Sequence, residues 1–160
     1  MNQEQTNEAN GSEGWEPLET STHQDHVIKH VIGATVLGWL IAGDAAHLLL
    51  DIGFLWTIYL DGEMGLVPEG MAIAELEGDE ITPANRAELA FDAQLLLSEG
   101  QWAEGLKRFI PAAGECLIET VEFFGTGGNR RLVVQGETSQ ITIDTSLETA
   151  EVLVKIEART

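Results

Sequence analysis

The chain has 160 residues, the length of one domain, and its 27 Asp and Glu against 8 Lys and Arg leave a net charge of −19. Such an acidic chain would repel a nucleic-acid backbone or an anionic membrane surface, so neither is an expected partner. Hydrophobic residues make up 44% of the chain and charged residues 22%, a composition typical of a protein that forms a core.

The first 22 residues are polar and acidic, with five Glu and no Lys or Arg. They lack the basic start and the apolar stretch of a secretory signal. They also hold too few apolar side chains to offset the entropy of ordering a backbone. We therefore predict a disordered acidic tail over residues 1–22, from which Trp15 can dock onto the body, and a single domain over residues 23–160.

Two apolar stretches follow the predicted tail. In the first, residues 27–41, most side chains are β-branched or aromatic and two glycines interrupt them, which favours a strand with a bulge or bend over a helix. The second, residues 47–60, ends at Asp61-Gly62, a common hairpin turn. This pattern predicts a strand that pairs with a returning strand over residues 64–67.

Residues 44–52 fit two structures. They fit a strand, which we favour, and they fit a short helix with Asp44 as its N-cap and Gly53 just beyond its end. The charges of Asp44 and Asp51 limit the neighbouring apolar runs to 13 residues before the first and nine after the second. A membrane-spanning helix needs about 20 apolar residues, so we predict that the chain does not span a membrane.

The clearest predicted element is a helix over residues 83–99. Thr82 is a good N-cap, and Pro83 suits the first helical position because its missing N–H is not needed there. Apolar residues recur at helical spacing along this segment, and Gly100 ends the pattern. A second, shorter helix is predicted over residues 101–109, where apolar residues repeat at intervals of four and three before a proline.

The last third of the chain alternates apolar and polar residues with the period of a strand that has one buried face. These strands are predicted over residues 132–135, 140–144 and 150–156, with turns over residues 125–129 and 136–139. The order of elements predicts an α+β domain. We expect a largely antiparallel sheet of about six to eight strands, with the two helices between its N-terminal and C-terminal strand groups.

Cys116 is the one cysteine of the chain, so no intramolecular disulfide can form and the fold suits a reducing compartment. We therefore expect a cytoplasmic protein. Glu115 and Glu119 flank this cysteine and disfavour its thiolate, so we interpret Cys116 as a small buried hydrophobic residue and not as a nucleophile.

Three of the four histidines lie within residues 23–30, and His26 and His30 share a face in a helix or in a strand. Imidazoles bind transition metals, which makes these two residues candidate metal ligands. Lys29 lies within the cluster, however, and a metal site needs three or four converging ligands. A polar segment that collects histidines is the simpler interpretation, and we expect no cofactor.

Asp44, His47 and Asp51 are the candidate catalytic residues. In a helix they would lie on one side, and carboxylates beside a histidine orient it and raise its pKa as a general base. In a strand, Asp44 would lie on the opposite face from the other two. Because no nucleophile or oxyanion-binding group is recognisable beside them, polar residues at the edge of an element are the simpler interpretation.

Candidate ligand-binding residues come from two places. Trp39, Trp56 and Tyr59 lie in the apolar stretches, and they would line a pocket or an interface if one face of these strands is open. Arg130 and Arg131 follow a glycine-rich loop and are two of only eight cations. That loop leads into a strand, which favours a hairpin turn over a phosphate-binding loop. The two arginines are candidates for contacting an anionic ligand or an acidic partner.

Two classes of function fit these observations. The first, which we favour, is a non-enzymatic protein-interaction or self-associating module, because the short chain holds much continuous apolar strand and no recognisable catalytic set. Its partner would be another protein or a second copy of the chain. The alternative is a small-molecule-binding protein or enzyme with an apolar pocket between the sheet and the helices.

Overall fold

Residues 14–158, apart from the side chain of Glu115, are described by a computed structural model, and they form three α-helices, one 3-10 turn and nine strands. The helices are α1 (Thr22–Val31), α2 (Glu69–Ala74) and α3 (Pro83–Glu99), and the 3-10 turn is Gly100–Trp102. The strands are β1 (Glu16–Pro17), β2 (Thr35–Ala42), β3 (Ala45–Leu50), β4 (Phe54–Tyr59), β5 (Met64–Pro68), β6 (Ile110–Thr126), β7 (Asn129–Gly136), β8 (Ser139–Ser146) and β9 (Glu151–Ala158).

The described strands form one antiparallel sheet in the order β5-β4-β3-β2-β6-β7-β8-β9, with β1 added to β6. Strand β6 pairs with β2 along its first part, where Cys116 lies opposite Val36, and with β7 along its second part, where Val121 lies opposite Val134. We call β2–β5 with the first part of β6 the first half-sheet, and the second part of β6 with β7–β9 the second half-sheet. This architecture confirms the predicted α+β fold with its antiparallel sheet, although the described sheet has nine strands where about six to eight were expected.

The main core lies between the two half-sheets. Leu48 and Trp56 of the first half-sheet are fully buried in the same apolar cluster as Val134 and Ile141 of the second. Cys116 is also buried there, as predicted from the glutamates that flank it, and desolvation raises the pKa of its thiol. Burial of apolar area between the half-sheets is therefore the main force that holds them together.

A second core covers the opposite face of the first half-sheet. Leu49 and Leu55 pack there with Leu89 and Leu96 of α3. Because both faces of the first half-sheet are covered, all six residues of β3 are buried. This burial explains why the sequence of β3 is continuously apolar instead of alternating.

The segment before β2 is the helix α1, where the sequence predicted a strand from residue 27. Ser21 and Gln24 form a capping box, in which the Ser21 hydroxyl accepts the Gln24 N–H and the Gln24 side chain accepts the Ser21 N–H. Val27 and Val31, four residues apart, are buried in the main core. The strand prediction was wrong because this cap and this spacing outweigh the β-branched composition.

Residues 14–21 also differ from the predicted disordered tail. In the pairing of β1 with β6, Glu16 lies opposite Gly125 and Pro17 lies opposite Phe124. The Leu18 N–H then donates to a β6 carbonyl at 2.9 Å. This part of the chain is therefore bound to the sheet, and residues 1–13 of the predicted tail lie outside the described residues.

Only the single 3-10 turn occurs where a second helix was predicted over residues 101–109. Gly105 has a φ of 90°, a left-handed conformation that interrupts a helix. The fully buried Asp92 carboxylate of α3 accepts the backbone N–H groups of residues 107–109. The second helix prediction was wrong because a side chain takes the donors that helical hydrogen bonds would need.

Other predicted elements are confirmed. Helix α3 begins at Pro83, and its N-cap Thr82 accepts the N–H of Asn85. Residues 45–50 form a strand, not a helix, and Asp61-Gly62 lies in the turn between β4 and β5. The C-terminal segments form β7, β8 and β9 with hairpin connections between them.

Candidate functional site

The outer face of the second half-sheet is open and concave. Along β8, Ile141 and Ile143 point into the main core, whereas Gln140, Thr142 and Asp144 alternate with them and point outward. The helices α2 and α3 pack on the first half-sheet instead. The two half-sheets are therefore unequal: the first is covered on both faces and the second on one.

A groove of about 630 Å³ runs over this outer face, and we call it the outer-face groove. Its lining combines apolar side chains with charged groups of both signs. The lining includes Trp15, Glu122, Phe124, Arg131, Val133, Asp144, Leu153, Lys155 and Glu157.

An ion pair lies in the outer-face groove. Arg131 donates from Nε to Oδ1 of Asp144 at 2.7 Å and from Nη2 to Oδ2 at 2.8 Å. The two residues lie directly opposite each other on β7 and β8, so the register of the sheet fixes this geometry. The hydrogen bonds of Asp144 raise the pKa of Arg131. The result is a rigid, planar, polar platform.

Trp15 lies over this ion pair. The Arg131 guanidinium carbon is 4.4 Å from the centroid of the Trp15 ring, a cation–π distance. The pairing of β1 with β6 brings Trp15 to this position. Leu18 packs against Gly125, where an added Cβ would lie 2.5 Å from Leu18 Cδ1. The outer-face groove thus already holds the aromatic side chain of an extended segment, supplied by this chain itself.

His47 is buried and both of its ring nitrogens have partners. Nε2 lies 3.0 Å from the Ala42 carbonyl, and Nδ1 lies 2.8 Å from the Thr57 hydroxyl. Since a carbonyl only accepts, Nε2 donates, and the neutral ring accepts the Thr57 hydroxyl proton at Nδ1. Burial lowers the pKa of His47, which favours this neutral form. These contacts support a structural role for His47 in joining β3 to its neighbours.

Asp44 and Asp51 have separate local roles. Asp44 lies in the turn between β2 and β3 with a φ of 56°. Asp51 Oδ1 accepts the N–H of Thr35 at 3.0 Å. The catalytic hypothesis for these two residues and His47 therefore gains no support from their contacts.

His26 and His30 lie one turn apart on α1, in the helical version of the predicted arrangement. The His30 Nδ1–H donates to the His26 carbonyl at 2.8 Å. Within residues 14–158, no three side chains of His, Cys, Asp or Glu come together in a group that could hold a metal ion. The metal-binding hypothesis stays a prediction that rests on two ligands.

Trp39, Trp56 and Tyr59 do not line a common pocket. Trp56 and Tyr59 are three residues apart in β4, so they point to opposite faces of the sheet. Trp56 is fully buried in the main core, and Tyr59 borders a hollow of about 250 Å³ together with His47. Trp39 borders a different hollow of about 380 Å³ beside α3.

The two predicted arginines differ in position. Arg130 Nη1 donates to the carbonyls of Gly127 and Asn129 at 3.0 and 2.8 Å, which stabilises the hairpin turn. Arg131 lines the outer-face groove. Of the two candidates, Arg131 is therefore the one that a ligand in the groove would contact.

Sequence reasoning missed Phe124, Val133 and Leu153 as groove residues. A signal for one of them was available, because Leu153 is apolar on the otherwise charged outward side of β9 and is 64% exposed. Phe124 and Val133 gave no such signal, since an apolar residue in a strand is usually core.

Comparisons of the chain with protein-family models, with curated proteins and with solved structures gave no match. In the described part of the chain, no helix has both the length and the apolar character needed to cross a bilayer. The geometry and charge of the outer-face groove are therefore the observations that bear on function.

Proposed function

We propose that this chain is a non-enzymatic protein-interaction module of the cytoplasm, and that its outer-face groove binds an extended segment of a partner protein. The observation that carries the proposal is the open groove of the second half-sheet with Trp15 already in it. The free, buried Cys116 is consistent with a reducing compartment.

The lining of the groove favours an extended segment with apolar or aromatic side chains. Phe124, Val133 and Leu153 supply apolar contact area on three different strands. The Arg131–Asp144 pair between them is a flat surface on which Trp15 stacks, and an aromatic ring of the partner would stack there in place of Trp15. Alternate side chains of an extended segment would point into the groove, which is a common mode of peptide recognition.

The charge of the chain favours a basic segment. A net charge of −19 attracts cationic partners at long range and raises their encounter rate. Within the groove, Asp144 neutralises Arg131, whereas Glu122 and Glu157 are exposed and outnumber the remaining cation, Lys155. Lysine or arginine side chains beside an aromatic residue would therefore complement this surface.

The alternative, a small-molecule site between the sheet and the helices, has weaker support. The hollow that His47 and Tyr59 border holds about 250 Å³, below the roughly 300–1,000 Å³ of typical ligand pockets. Both nitrogens of His47 are already hydrogen-bonded. The hollow of about 380 Å³ that Trp39 borders beside α3 is within that range, but its one cation, Arg108, already donates to Glu88 and Asn85.

Selection from a library of displayed random peptides tests the proposed function. We expect the chain to enrich extended sequences that combine aromatic residues with lysine or arginine. Val133→Arg should weaken their binding by about tenfold or more, because it adds bulk and positive charge within the groove. Val133 lies opposite Glu122 on β6, so the new charge gains a cross-strand partner and the fold is retained.

Ser98→Arg provides the matched control, since it adds the same charge on an exposed position of α3, outside the groove. The selected peptides should bind this variant within about twofold of wild type, as expected for a change outside the contact. Peptides that bind Val133→Arg as well as wild type, or a selection that enriches nothing, would contradict the proposal.

A further inference from the structure

The strand at one end of the sheet, β9, has an open edge. It pairs with β8 along its whole length, from Glu151 opposite Ser146 to Ala158 opposite Ser139. It is also the last strand in the order of the sheet, and no other described strand pairs with its second edge. The N–H and C=O groups along such an edge are a template for adding another strand.

The opposite end of the sheet is protected. Strand β5 has five residues and ends at Pro68, which has no N–H to donate. His23 Nε2 of α1 donates to the Met64 carbonyl, and Gln24 Nε2 donates to the Gly62 carbonyl, both at 2.9 Å. Strand β9 has eight residues with neither a proline nor a register shift. A further strand would therefore be added at β9.

We infer that β9 pairs with β9 of a second copy of this chain, antiparallel and in a register centred on Leu153. In this register Leu153 lies opposite the partner's Leu153, and Glu151 lies opposite the partner's Lys155 on both sides of it. Two ion pairs then flank an apolar contact that covers Leu153, which is 64% exposed in the single chain. On the inward side, the half-buried Val152 lies opposite the partner's Val154 and extends the main core.

Charge and pleat disfavour the neighbouring registers. A register centred on Val152 places Glu151 opposite the partner's Leu153 and forms no ion pair between the two strands. Like charges directly opposite each other destabilise a strand pair. A register centred on Val154 places Glu151 opposite the partner's Glu157, and a register centred on Lys155 places two lysines opposite each other. A register centred between two residues would pair outward with inward side chains. Lys155 Nζ lies 3.5 Å from Glu157 Oε2 of its own strand, but the Lys155 side chain is 72% exposed and so is accessible to a partner.

This interface goes beyond the proposed function, because it uses the edge of the second half-sheet and not its outer face. The two surfaces are adjacent, since Leu153 and Lys155 also line the outer-face groove. Pairing would therefore join the grooves of two copies across the twofold axis. Its test needs no peptide, so it stands or fails independently of peptide binding.

Two charge reversals test the register. Glu151→Lys places two lysines opposite each other on both sides of Leu153, and Lys155→Glu places two glutamates there. Sedimentation equilibrium in about 0.15 M NaCl is suitable, because a Debye length of about 8 Å screens the long-range repulsion between two acidic chains. We expect wild type to form dimers and each variant alone to dimerise about tenfold or more weakly.

An equimolar mixture of the two variants is the control. In the mixed dimer every lysine again faces a glutamate, so dimerisation should return to the wild-type level. This recovery would also show that both variants are folded. A monomeric wild type or a mixture that fails to recover would overturn the inference. The inference would also be overturned if Lys155→Glu weakened dimerisation and Glu151→Lys did not. That result would indicate a register centred on Ile156, in which Lys155 pairs with the partner's Glu157 and Glu151 has no charged partner.

Discussion

Three buried polar side chains hold backbone groups at points where the chain changes direction. His47 bonds the Ala42 carbonyl before the β2–β3 turn, Gln24 bonds the Gly62 carbonyl in the β4–β5 turn, and Asp92 bonds the segment that follows α3. A buried polar group of this kind must be hydrogen-bonded, and removing it leaves its partners unsatisfied. We therefore expect these residues to determine stability and not binding.

His47 makes the free energy of unfolding depend on pH. Burial lowers its pKa below the usual 6.5, so as the pH falls the unfolded chain binds a proton that the folded chain excludes. Stability is therefore fully present above about pH 6.5 and falls below it, by at most about 1.4 kcal/mol per pH unit from this group. Between pH 7.5 and 5.5, wild type should therefore lose more of its free energy of unfolding than His47→Gln does.

Urea denaturation at the two pH values measures this difference. His26→Gln removes an exposed imidazole of α1 and provides the control, which should behave as wild type does. Equal losses in wild type and His47→Gln would show that the buried histidine does not couple folding to protons.

At the scale of elements, Asp92 decides the conformation of residues 107–109. Its carboxylate accepts three backbone N–H groups. Asp92→Ala would leave these donors unpaired and should lower the free energy of unfolding by about 3 kcal/mol or more. Asp92→Asn keeps one acceptor oxygen and should cost less. Chemical denaturation measures both variants, and a loss under about 1 kcal/mol for Asp92→Ala would refute this role.

The elements that could be predicted from the sequence have local signals. Thr82 and Pro83 mark the start of α3 regardless of the rest of the fold, and the period-two alternation marks β8 and β9. The absence of the second helix depends on Asp92, whose carboxylate reaches across from α3 to a different segment. This tertiary contact competes with helical hydrogen bonds for the N–H groups of residues 107–109, so the spacing of apolar residues alone could not show it.

The candidate site was less predictable than the fold. Arg131 was a candidate because cations are rare in this chain, but its neighbours Trp15 and Asp144 come from distant segments that only the sheet register brings together. Trp56 was predicted as a ligand-binding candidate, but it lies in the core. An aromatic residue in an apolar strand fits a pocket and a core equally well, and here it is fully buried.

At the scale of the whole molecule, the two half-sheets differ in how much of their surface is covered. The first is covered on both faces and supplies most of the burial, as the two cores show. The second leaves one face and one edge open, and we propose a basic partner segment for the face and a second copy for the edge. The net charge of −19 favours the first partner and opposes the second, so salt should weaken peptide binding and favour dimers.

We propose the outer-face groove as the surface where a partner binds. Mapping of amide chemical shifts in the isotope-labelled chain, as a selected peptide is added, tests it most directly. We expect the largest changes at Phe124, Val133 and Leu153, across three strands of the second half-sheet. Changes concentrated around the hollow beside His47, or along α3, would contradict it.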